Sequence, residues 1–123
     1  MTYCTKARGV LNVIIDGISW RLDSDSDILI NASKQEREEM NAGEFGIKER
    51  SYSIEGTFRV PNDFPIGKAQ ELCGVAITVE LYDGRIFEMP GAANVATDPF
   101  NARQGTLPMR FIGDVLEERV AQS

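Results

Sequence analysis

The chain has 123 residues, a formal net charge of −6, no histidine and two cysteines. That length suits one domain with its own core. The missing histidine excludes a Ser-His-Asp triad, a Cys-His pair and any His-ligated metal, and two thiols cannot build a four-cysteine zinc site.

With 19 Asp and Glu against 13 Lys and Arg, the balance disfavours a groove that grips nucleic acid through its phosphates. No apolar stretch of signal-peptide length follows a basic start, and no run nears the ~20 apolar residues of a membrane-spanning helix. A reducing cytoplasm is therefore expected, with Cys4 and Cys73 as free thiols and Cys73 as a small buried apolar residue. Asn31-Ala32-Ser33 matches a glycosylation sequon, but no secretory route is visible to use it.

Val10 to Ile15 is an apolar, β-branched run. Asp16-Gly17 follows, then Ile18, Trp20 and Leu22 alternate with polar residues. An Asp-Gly between two such runs predicts a hairpin, because both residues tolerate positive φ. Ile28 to Ile30 reads as a short third strand.

Asn31 to Ile47 shows no sustained period. Ser33 and Glu36 fit a capping box and Gly43 a helix stop, yet Lys34, Glu36, Arg37, Glu38 and Glu39 leave such a helix no apolar face. The segment reads as a long polar loop with at most a helical turn. Loops of this length in compact domains are usually functional or disordered. Phe45 and Ile47 stand isolated in it, either folding back on the core or anchoring a partner.

Lys48 to Val60 alternates strictly. Tyr52, Ile54, Gly56, Phe58 and Val60 face a core, and Ser51, Ser53, Glu55, Thr57 and Arg59 face water. Ile66, Ala69, Leu72 and Cys73 have helical spacing between Pro65 and Gly74, predicting a helix of about two turns. Val75 to Leu81 alternates again, and Asp83-Gly84 turns into Arg85 to Met89. Pro90-Gly91 interrupts or bulges this strand before it continues towards Ala96. Thr106 to Val115 is the last strand, and residues 117–123 read as a solvated tail. Six or seven strands, one flanking helix and two tight hairpins predict a mainly β fold: an antiparallel β-sandwich or barrel with a short flanking α-helix and a long inter-strand arm.

Catalytic patterns are poor. Asp23, Asp25 and Asp27 have the alternate-oxygen spacing that opens a calcium loop, but Ile28 holds the glycine position and Lys34 the final carboxylate position, so the stretch reads as a solvated turn. Glu55 and Glu80 could form a glycosidase pair, yet both sit on the wet faces of regular strands. No P-loop or serine-nucleophile motif is present, and neither a cofactor nor a metal is expected. A small barrel enzyme or ligand binder would need convergent polar groups at a barrel mouth, and none is visible.

Four segments, in order across roughly residues 9–115, resemble the tail tube proteins of Mu-like phages with contractile tails. They are Asn12 to Ser19, the charged stretch Arg37 to Glu49, the hairpin Ala76-Ile77-Thr78-Val79-Glu80-Leu81-Tyr82-Asp83-Gly84-Arg85, and the closing Met109-Arg110-Phe111-Ile112-Gly113. The resemblance implies a non-enzymatic subunit with one tail-tube-like domain: a core at about 9–116, an arm at 31–47 and a tail at 117–123. It implies hexameric rings stacked into a hollow tube, in which inner strands join around the ring and the arm contacts the neighbouring ring. Candidate arm contacts are Glu36, Arg37, Glu38, Glu39, Met40, Phe45 and Ile47.

Implied partners are further copies of the chain, the tail sheath, the tape measure and the tail-end or baseplate proteins. DNA would pass through without sequence-specific binding. The implied location is the virion tail, assembled in the bacterial cytoplasm, with no membrane anchor. Tailocin and type VI secretion tubes share this fold and are the alternative. A conduit must not trap its cargo, so the expected lumen lining is the polar strand face of Ser51, Ser53, Glu55, Thr57, Thr78 and Glu80, with Arg59 near a rim or paired with a carboxylate.

Overall fold

The computed structural model describes residues 9–23 and 27–120, with Met40 and Phe45 described by backbone alone. Cys4 and Asp25 lie outside the described residues. The elements run β1 Val10–Ile15, β2 Ile18–Leu22, β3 Leu29–Asn31, β4 Gln35–Asn41, β5 Glu44–Glu49, β6 Tyr52–Arg59, α1 Ile66–Gln70, β7 Val75–Leu81, β8 Ile86–Asn94, β9 Thr106–Gly113 and β10 Glu117–Arg119.

Six strands close into an antiparallel barrel in the cyclic order β1-β2-β6-β9-β8-β7. The β1–β2 hairpin turns where expected, with Asp16 at φ 52° and Gly17 at φ 79°. Two consecutive positive φ values match the right-handed strand twist, and Asp and Gly accept them most readily. The β7–β8 hairpin turns at Asp83-Gly84, where the Asp83 carboxylate accepts the Arg85 N–H at 3.0 Å.

Alternating apolar residues of all six strands fill the interior. Ile54, Phe58, Ile77, Val79, Met89 and Phe111 are fully buried. Trp20 packs edge-on against Phe58 and Phe64, with ring centroids 6.4 and 5.1 Å away.

Because β6 and β7 lie on opposite sides of the barrel, the chain between them must cross one barrel end. Residues 60–74 make that crossing and plug the end with Phe64, Ala69 and Leu72. The helix in this crossing, α1, is shorter than expected. It stops at Gln70, and Gly74 (φ 68°) redirects the chain into β7. Cys73 therefore falls beyond the helix and is exposed rather than buried.

Pro90-Gly91 is a bulge. Between Ile77↔Met89 and Val75↔Ala92, β8 carries one residue more than β7. Gly91 has φ 68°, which suits glycine, and Pro90 is exposed. Beyond the bulge β8 leaves β7 and reaches β9 through Ala93↔Ile112 and Asn94↔Phe111.

Asn94 reinforces this seam. Its Oδ1 accepts the N–H groups of Ala96 and Arg110, each at 3.1 Å, and its Nδ2 donates to the Ala69 carbonyl at 3.2 Å. One side chain thus ties the barrel seam to α1.

Two further expectations are corrected. The stretch 117–119 is a strand, β10, because it continues the β9 register along β8: Ala93↔Ile112 and Glu88↔Glu117 belong to one unbroken offset. The arm contains no helical turn. It is the hairpin β4–β5, and Ser33 accepts the Gln35 N–H in a local turn instead of capping a helix. These additions bring the described strands to ten, beyond the six or seven expected.

The interior is tight at Gly56. A Cβ there would lie 2.9 Å from Ile28 Cδ1 and 3.2 Å from the Asp27 carbonyl oxygen. Gly56→Ala must push the 27–28 segment outward, and we expect it to cost about 1–3 kcal/mol, read as a lower urea midpoint with an unchanged slope.

Candidate assembly surfaces

No group of three or more metal-binding side chains occurs among the described residues, and the surface depressions are shallow and open. The features that stand out are edges, an arm and charged walls.

The arm is a direct prolongation of the barrel ladder. The register of β3 on β6, Leu29↔Glu55 to Asn31↔Ser53, carries on unshifted into Gln35↔Glu49 and on to Glu39↔Phe45. Lys34 and Arg50 bridge the two ladders, the Arg50 N–H donating to the Lys34 carbonyl at 2.7 Å. Arg50 Nε also donates to the Ser33 carbonyl at 3.0 Å, and the Lys34 ammonium lies 5.4 Å from the Tyr52 ring centre. Seven residues of β4 carry the ribbon about 24 Å beyond the barrel.

Directly opposite residues share a ribbon face. Arg37 and Ile47 lie on one face with Glu39 and position 45, whereas Glu36 and Glu38 lie on the other, opposite Lys48 and Gly46. Ile47 is 60% exposed. It does not fold back on the core. Position 40 is the bulge next to the tip, and the turn uses Gly43 at φ 82°.

Two strands outside the six-strand cycle present open edges. β3 pairs only with β6 and β10 only with β8, so the outer side of each has no strand beside it among the described residues. Both are three residues long, and all three β10 residues are exposed.

The proposed lining residues separate into two groups. Glu55 and Thr57 point outward from β6, and Thr78 and Glu80 point outward from β7. These strands are diametrically opposed, so the two groups face away from each other. Ser51 is exposed just before β6. Ser53 is buried, its hydroxyl accepting Asn31 Nδ2 at 2.9 Å, because β3 covers that end of the strand.

On the β6 wall, Glu55 lies 3.8 Å from Arg110, its cross-strand neighbour. Arg59 ends the strand, 3.9 Å from Asp23. On the β7 wall, Thr78 is opposite Glu88, which on its other side is opposite Glu117 and pairs with Arg119. Periodicity along one strand did not reveal Arg110, Glu88 or Glu117, because cross-strand neighbours depend on register.

The phage tail tube protein family model matches residues 4–118. The chain belongs to the phage tail tube protein family. Comparison with individual curated proteins gave no match. This tail tube protein is thus a structural, non-enzymatic component of the virion tail, which assembles with itself into a tube and associates with other tail proteins. Open edges and a projecting ribbon suit that role.

Glu117 and Glu88 are directly opposite, an unfavourable like-charge pair that Arg119 offsets. Arg119→Glu should therefore detach β10, giving fast amide exchange at 117–119, while barrel stability changes by less than about 1 kcal/mol.

Proposed function

We propose that the protein forms hexameric rings that stack into the tail tube of a Mu-like contractile phage, within a sheath and around a tape measure, and that DNA passes through the lumen during ejection. The observation that carries this reading is the arm. A two-stranded ribbon with neither face covered is at best marginally stable in water. Its backbone and Ile47 gain most when a neighbouring ring covers them. The arm, 31–47, is accordingly mobile in the free subunit and orders on stacking.

The β6 wall faces the lumen in this reading. Joining sheets around a ring needs an open edge, and β3 supplies one beside β6. By contrast, β7 has a full-length partner on each side. Midway along the β6 wall Glu55 offsets Arg110, and Arg59 stands only at the strand's end. Such a lining neither holds phosphates nor binds counter-charges strongly. Ser51, Glu55 and Thr57 are then lumen residues, and Thr78 and Glu80 look outward.

Deleting Glu36 to Phe45 should leave a cooperatively melting barrel that forms no long tubes under electron microscopy. Long tubes from that variant would remove the arm from the mechanism. Glu55→Lys places a second cation beside Arg110 in every subunit. Tubes should still form but DNA ejection should slow, whereas Glu80→Lys on the far wall should leave ejection unchanged. The reverse pattern would put the β7 wall inside.

A further inference from the structure

We propose that the arm of one copy docks, through Glu36 and Glu38 of β4, against the paired guanidinium groups of Arg21 and Arg59 on the next copy. The inference rests on the reading that the chain stacks into a tube, and it assigns the receiving surface.

Arg21 and Arg59 are direct cross-strand partners in the β2–β6 ladder. Like charges in that position destabilise a sheet. Asp23 relieves Arg59 only weakly, at 3.9 Å with the Arg59 side chain 54% exposed, and Arg21 has no carboxylate partner among the described residues. The two arginines line an open groove with Ser19, Pro61, Asn62 and Gln104. Among the described residues, only Asp23 approaches this pair of cations, and it reaches Arg59 alone. A ligand with two carboxylates would offset both.

The arm offers such a ligand. Residues 35–49 hold five carboxylates and two cations, a net charge of −3. Glu36 and Glu38 lie on the same ribbon face, about 7 Å apart. Glu38 stands opposite Gly46, where no side chain screens it, and Glu36 opposite Lys48. Two carboxylates at this spacing can each meet one guanidinium of a cross-strand pair, and charge-assisted bonds of that kind are among the strongest a surface can make.

Position makes the contact intermolecular. The arm leaves β6 at its Tyr52 end, and Arg59 is the residue at the other end of the same eight-residue strand. The two surfaces cannot meet within one chain. A copy displaced along that direction brings them together, and the contact repeats without closing, as a stack requires.

The test uses the full chain, with tube mass read by sedimentation and tube length by electron microscopy. Arg21→Glu with Arg59→Glu should lower tube mass about tenfold or more, with rings or single subunits remaining and the melting curve unchanged. Adding Glu36→Arg and Glu38→Arg to that chain should restore tubes. Should the double reversal unfold the barrel, Arg21→Gln with Arg59→Gln gives the same comparison without introducing carboxylates. Wild-type tube length in the reversed variant would overturn the proposal and leave the tube reading standing. Loss without rescue by the swap would also overturn it, assigning the arginines to another partner. A wild-type chain that forms no tubes at all would overturn both readings.

Discussion

The barrel closes through two seams of two residue pairs each, β2–β6 and β8–β9, and the second requires a strand to change partners. Ile54, Phe58, Met89 and Phe111 leave water only if β8, which starts alongside β7, crosses to β9. It does so over two residue pairs, Ala93↔Ile112 and Asn94↔Phe111. Pro90 and Gly91 permit the crossing by adding a residue and bending the strand. Asn94 then secures it, since its side chain satisfies backbone groups of β9, the following loop and α1 together. Buried backbone groups left unpaired there would each cost about 1–3 kcal/mol. The β8–β9 seam thus holds both the core and the α1 plug.

Closure also fixes where function can sit. In a six-strand cycle, β6 and β7 are three strands apart in either direction, which forces the crossing through α1 and sets their polar faces back to back. A single closed barrel can offer only one of those faces to a lumen. It also removes most free edges, leaving β3, β10 and the arm. Short edges such as β3, and charged ones such as β10 and the arm, resist indiscriminate pairing. They pair when a neighbour is presented in one geometry, which is what self-assembly into a tube provides.

The sequence made the barrel legible because its strands bury one face. Ile54 and Phe58 alternate with Glu55 and Thr57, and Asp16-Gly17 and Asp83-Gly84 mark turns whose backbone only a few residues adopt. It hid the arm for the converse reason. Gln35 to Asn41 buries neither face, so its alternation is polar on polar and carries no period. The arm's identity lies in a register shared with β3 and β6, a relation between distant residues. β10 escaped notice likewise: Glu117-Glu118-Arg119 has no apolar pattern and is a strand only because β9 delivers it along β8. The candidate lining was half legible. Each strand's polar face could be read, but which wall that face occupies depends on strand order and not on periodicity.

A net charge of −6 excluded a phosphate-gripping groove, but the sum conceals the arrangement. Half of that excess, −3, sits on the arm, while Arg21 and Arg59 crowd together at the opposite end of β6. A uniformly acidic subunit would repel its copies along the stack. A subunit with an acidic arm at one end and a basic pair at the other would attract its copies head to tail in the proposed stack, and repel them with either reversed. In the stack proposed above, tube polarity would follow from where the charges stand on a single ladder: β6 has the acidic arm at its start and the basic pair at its finish.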